Sequence, residues 1–131
     1  MALKLTLKPG ERVAVNGAVL VNGDRRSTFV IENKARVLRE KDILQLEDAD
    51  TPAKRIYAPI MLMYLDPSLS ERLLPDYEKR LMEFVGVVSS PEPLAICARL
   101  AANVANGDYY RAMTLCRDLM EFEKTRLADV A

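Results

Sequence analysis

The chain has 131 residues, half of them hydrophobic, with 19 cationic and 19 anionic side chains and no net charge. That composition fits one domain or two small ones, excludes a disordered chain, and argues against indiscriminate nucleic-acid binding, which needs a large positive excess. The charge is nevertheless uneven: residues 1–44 hold nine Lys and Arg against five Asp and Glu, and residues 45–131 hold ten against fourteen, so only the first third suits a polyanion.

The first third reads as short strands broken by turns. Leu3-Lys4-Leu5-Thr6-Leu7 alternates with period two, the mark of a half-buried strand. Lys8-Pro9-Gly10-Glu11 is a turn in which Pro fixes φ and Gly supplies a positive φ. Arg12 to Val15 and Ala18 to Val21 are two strands joined by Asn16-Gly17, a strong hairpin signal. Asn22-Gly23-Asp24 repeats that turn chemistry, Arg25 to Glu32 is a fourth strand, and Ala35 to Leu38 a fifth. Sequential turns of this kind predict an antiparallel meander, too small to bury both faces alone.

Thr51-Pro52 marks a helix start, with Thr as N-cap and Pro in the first turn. Ile56 to Leu65 is the longest apolar run. Pro59 is expected to kink or restart its helix, and the run falls well short of the roughly 20 residues that span a bilayer. A second helix, Ser70 to Val88, carries Leu74, Tyr77, Leu81, Phe84, Val85 and Val88 as its stripe, with Pro75 expected to delay its start. A third, Glu92 to Asn106, turns Leu94, Cys97, Ala101 and Val104 inward, with Leu100 near the edge. Gly107 ends it, and Asp108 caps a fourth helix that runs to about Ala128 on Tyr109, Ala112, Met113, Cys116, Leu119 and Met120. The fold class is therefore α+β: an N-terminal antiparallel β-module of about five short strands (residues 1–50), then a bundle of three to four helices (residues 51–131).

The first residues lack a basic segment followed by an apolar one, so no signal peptide is expected and the location is expected to be cytoplasmic, away from membrane. Cys97 and Cys116 sit in apolar helical patterns and read as buried free thiols. With no histidine and no paired cysteine motif, no metal or cofactor is expected. Nor is catalysis, since no general base stands out and no nucleophile or phosphate-loop motif occurs. The carboxylates of Glu121-Phe122-Glu123-Lys124 read as a solvated face.

Three stretches remain as candidate sites. Asn33 to Leu44 places Lys34, Arg36, Arg39 and Lys41 among apolar anchors. Arg is a rigid fork that suits phosphates and base edges, and a small bulge would let Arg36 and Arg39 meet one ligand; the alternative is a solvated edge strand whose charges deter pairing. Arg25-Arg26 forms a basic loop tip. Met61, Met63 and Tyr64 could line an adaptable partner groove, or else belong to the core; Tyr109-Tyr110 could stack on bases, or else pack between helices.

The order of motifs goes further. Leu3-Lys4-Leu5, Leu7-Lys8-Pro9-Gly10-Glu11, Asn16-Gly17-Ala18-Val19 and Asn22-Gly23-Asp24-Arg25-Arg26 lead into Val37-Leu38-Arg39-Glu40-Lys41-Asp42-Ile43. Thr51-Pro52-Ala53, Met63-Tyr64-Leu65-Asp66 and Tyr109-Tyr110 follow. This series resembles the FlbT family of flagellar biosynthesis repressors over nearly the whole chain. The resemblance implies post-transcriptional control of flagellin in alphaproteobacteria. It implies action on the 5′ leader of flagellin mRNA, by promoting decay or blocking translation, or in some members activation, alongside the small protein FlaF. The first forty-odd residues also resemble the carbon-storage regulator CsrA, an intertwined β dimer that binds RNA leaders, and this second resemblance places an RNA-contacting arginine at Arg39. The expected RNA-contacting set is Lys4, Arg25, Arg26, Lys34, Arg36, Arg39 and Lys41. The expected partners are the flagellin mRNA leader, a FlaF-like protein and a further copy of the chain. A protein-interaction adaptor or chaperone acting through FlaF or flagellin, without RNA contact, is the alternative.

Overall fold

The computed structural model describes residues 2–130, with side chains through Arg126; Met1 and Ala131, the outer ends of the two expected modules, lie outside the described residues. Five strands precede four helices: β1 (Leu3–Leu7), β2 (Arg12–Val15), β3 (Ala18–Val21), β4 (Ser27–Ile31), β5 (Val37–Arg39), α1 (Pro52–Leu65), α2 (Ser70–Val87), α3 (Pro91–Ala105) and α4 (Tyr109–Val130). The fold is α+β, and it separates into two compact units, one ending at Ile43 and the other starting at Leu44.

In the β-unit the strand positions follow the turn chemistry, but the pairing is not a meander. β1 pairs with β4, Leu5 opposite Phe29, as one two-stranded antiparallel sheet. β2 lies between β3 and β5 in a second sheet, and only β2 and β3 form a sequential hairpin. That hairpin turns at Asn16 (φ 52°) and Gly17 (φ 87°), the two consecutive positive φ values of a type I′ turn. The fifth strand begins later than its composition suggests, because Val37, Leu38 and Arg39 are the residues that meet Val15, Ala14 and Val13. All five strands pair within one chain. A small core of Leu5, Leu7 and Val13 forms between the sheets, edged by Val15, Ile31 and Val37.

In the helical unit α1 and α4 are central: α1 packs on α2 and α4, and α3 on α4. Thr51 caps α1, its hydroxyl accepting from the Lys54 N–H at 3.2 Å. Pro59 does not break α1, which is continuous from Pro52 to Leu65. Proline withholds one N–H from the helix, but Ile56, Tyr57, Ile60 and Met63 are all at most 1% exposed, and their packing holds the segment helical. Pro75 does not delay α2 either, since a 3-10 turn at Pro67–Leu69 leads directly into Ser70. Leu100, expected near an edge, is fully buried; it lies three residues after Cys97 and four before Val104, on the same helical face. α3 ends in a Schellman motif: Gly107 takes φ 75°, its N–H reaches the Val104 carbonyl at 3.0 Å, and the Asp108 N–H reaches Asn103 at 2.8 Å. Among the described residues no helix is long and apolar enough to cross a membrane.

Candidate nucleic-acid interface

The β-unit contains a groove of about 620 Å³ lined by Thr6, Lys8, Pro9, Gly10, Glu11, Arg26, Arg39, Glu40 and Lys41. Its geometry starts with Asn22. The side-chain amide of Asn22 donates to the carbonyls of Leu7 (3.2 Å), Lys8 (2.8 Å) and Arg25 (2.8 Å). The backbone adds Gly10 N–H to Gly23 at 2.9 Å and Asn22 N–H to Glu11 at 2.9 Å. Together these staple the Arg25-Arg26 loop beside the Lys8–Glu11 turn, which is why Arg26 enters the groove. Gly10, at φ 71°, and the Glu11 N–H to Lys8 bond at 3.0 Å shape that turn.

Arg39 ends β5 opposite Val13. Its guanidinium donates to the Thr6 carbonyl at 2.7 Å and pairs with Glu11 at 3.4 Å. Glu11 is held in turn by the Lys8 N–H, which donates to its carboxylate at 2.8 Å. The carboxyl of Glu11 therefore sits below the ordinary carboxylate range: the Lys8 N–H lowers it most, loss of solvent opposes this, and the hydrogen bond and charge of Arg39 lower it further. Two of the five guanidinium N–H groups are thus engaged and the plane is fixed, leaving the remaining donors for a ligand. Arg39 is a preset fork, with its side chain 37% exposed. Glu40 serves the scaffold, accepting from the Arg12 N–H at 3.3 Å.

The structure brings together Arg26, Arg39 and Lys41 of the expected set and adds Lys8. The signal for Lys8 was its place at the head of the Pro-Gly turn. The other expected cations lie outside this groove. Lys4 is exposed on β1 opposite Val30, and Arg25 and Lys34 are exposed in loops. Arg36 does not join Arg39. Its backbone is tied to Asn16, N–H to Oδ1 at 2.9 Å and carbonyl from the Asn16 N–H at 2.8 Å, and its Nε is buried without a hydrogen-bond partner. The regular pairing of β5 with β2 leaves no bulge to turn both arginines toward one ligand.

In the helical unit the expected partner residues divide. Met61 and Met63 are 3% and 0% exposed and belong to the core, where Met61 sulfur also accepts from the Leu44 N–H at 3.4 Å; apolar packing removes both from any docking surface. Tyr64 is half-buried and meets Tyr110 edge-on at 5.6 Å. Glu123 is not part of a solvated face. Its carboxylate accepts from the Thr51 hydroxyl at 2.6 Å and the Ala53 N–H at 2.9 Å, closing the positive end of α1. Cys97 and Cys116 are buried free thiols, and burial pushes both up, Cys116 well up. Burial also pushes the Tyr77 hydroxyl up to about 12.

The family described as "Flagellar protein FlbT" matches residues 3–127. A protein named "Probable flagellum biosynthesis repressor protein FlbT" from a Caulobacter species is 51% identical over the full length of both chains. The "Flagellum biosynthesis repressor protein FlbT" of Caulobacter vibrioides is 49% identical, covering all of this chain and 93% of the relative. A Bradyrhizobium diazoefficiens relative, named as a probable repressor of the same kind, is 38% identical over 95% of this chain and 84% of its own. No solved structure matches. With the match spanning both the strands that build the groove and the helices that follow, the chain belongs to the FlbT family of flagellar proteins.

Proposed function

We propose that this chain regulates flagellin synthesis by binding the 5′ leader of flagellin mRNA in the β-unit groove. There it promotes decay of the message or blocks its translation. The relatives' names as flagellum biosynthesis repressors support a regulatory role in flagellar synthesis. The observation that carries the RNA reading is the convergence of Lys8, Arg26, Arg39 and Lys41 on one groove in which Arg39 is already oriented by Thr6 and Glu11. Phosphates would meet the lysines, and the free edge of the Arg39 fork suits a phosphate or the guanine edge of an unpaired base. Lys4, Arg25 and Lys34 would act at longer range, through the field of the basic unit. The chain performs no chemistry in this scheme.

A gel-shift titration of the purified chain against the flagellin leader, at two salt concentrations and with a scrambled leader, tests this. Selective binding that weakens steeply with salt is expected. Equal binding of the scrambled leader, or none by folded protein, would overturn it.

A second reading, an adaptor for FlaF or flagellin, draws on a cleft of about 300 Å³ in the helical unit, walled by Phe84, Val87, Val88 and Phe122 and edged by Asp50 and Arg126. It would take an apolar helix face and be much less sensitive to salt.

A further inference from the structure

Among the described residues β4 is hydrogen-bonded to β1 on one side and to no strand on the other. Phe29 and Val30 at its centre are 50% and 59% exposed. They share an apolar groove of about 380 Å³ with Leu20 and Val21 of β3, a strand exposed along its whole length. A contiguous apolar patch on a free strand edge is a template for another strand. β4 also lacks the usual guards, having no charge or proline between Ser27 and Ile31. A two-stranded sheet is in addition too small to be stable by itself.

The charges that flank β4 select its occupant. Arg25 and Arg26 precede it, Glu32 follows it, and all three are exposed. We propose that two copies of this chain pair antiparallel along β4, about a two-fold axis through Phe29. Such an axis, normal to the sheet, passes through a residue, because opposed side chains must lie on one face. Through Thr28 it would set Asp24 against the partner's Glu32. Through Val30 it would set Arg26 against the partner's Lys34. Both put like charges across the ladder, which destabilises it. Through Phe29, Arg26 meets the partner's Glu32 and Glu32 meets the partner's Arg26, Thr28 lies opposite the partner's Val30, and the two Phe29 rings meet on the axis. The result is a four-stranded sheet in the order β1, β4, β4, β1. Arg26 keeps donors to spare for its own groove.

Sedimentation equilibrium of the full chain tests the pairing. The wild type should fit a dimer. Glu32→Arg and Arg26→Glu should each weaken it about tenfold or more, and the double variant Arg26→Glu/Glu32→Arg should restore it. Phe29→Cys should give a covalent dimer on mild oxidation and Val30→Cys should not; the two native cysteines are buried and silent. A monomeric wild type at every concentration, a dimer indifferent to both charge reversals, or cross-linking through Val30→Cys in place of Phe29→Cys would overturn the proposal. A monomer would leave the edge to a strand of another protein.

Discussion

The two units of this chain spend their apolar residues in opposite ways. The helical unit buries Ile56, Tyr57, Ile60, Met63, Phe84, Leu100, Met113 and Leu119 almost completely. The β-unit buries Leu5, Leu7, Val13, Ala14 and Leu38 and leaves Leu3, Val19, Leu20, Val21, Phe29 and Val30 about half exposed or more. A unit ending at Ile43 is close to the limit of about 40 residues below which a single core rarely suffices. Its order rests on turns, on the Asn22 amide and on the Arg39–Glu11 pair instead. The helices thus carry the larger core, and the less buried strands carry exposed cations and open edges.

Damage to the helical core should cost the most. Met63→Ala or Leu119→Ala should cost about 2–5 kcal/mol in chemical denaturation. Val19→Ala, at a position 59% exposed, should change stability by no more than about 0.5 kcal/mol. Next in size is the link between α4 and α1. Glu123→Ala leaves the Thr51 hydroxyl and the Ala53 N–H without their acceptor, and a loss of about 1.5–3 kcal/mol is expected from the same denaturation curves. Arg39→Ala should leave the helical transition in place while leader affinity falls, with the salt slope reduced by about one. A variant that binds RNA normally would remove Arg39 from the site.

Acid supplies the smallest effect. Glu11 has its folded value below the ordinary 4.5, so the unfolded chain binds the proton more readily. Its contribution is complete above that ordinary value and is lost as pH falls through the lower folded value. A probe in the β-unit should therefore report loosening below pH 4.5, and Glu11→Gln should flatten that dependence. A wild-type profile identical to that of Glu11→Gln would show that the carboxylate does not orient Arg39.

Much of the fold is legible in the sequence because turns and caps are local. Asn16-Gly17 dictates a hairpin, Thr51-Pro52 starts a helix, and Gly107 ends one, each from the conformations its own residues allow. Strand partners are a different matter. Period-two alternation marks Leu3–Leu7 as a strand, and the run between turns marks Arg25 to Glu32 as another, but neither signal says that they pair with each other across the β2–β3 hairpin. The site was readable to the same extent. Arg39 and Lys41 stand out in sequence, but Arg26 reaches them only because Asn22 ties its own loop to the carbonyls of Leu7 and Lys8. Arg36 looks equivalent to Arg39 along the chain, yet its backbone is tied to Asn16 and its Nε is buried outside the groove. Glu123 reads as solvated for the same reason, since its partner is a helix end about 70 positions away in sequence.

That last distance bears on the order of events during synthesis. Every strand of the β-unit finds its partner before Ile43 is passed, so this unit can form while the ribosome is still making the rest. Helix α1 starts at Pro52, but the carboxylate that closes its first turn is 72 residues beyond Thr51. Until α4 emerges, a nascent chain presents a finished basic groove followed by an unfinished, apolar helix. The proposed RNA-binding groove is therefore complete in the chain before the residues that close α1 have been made.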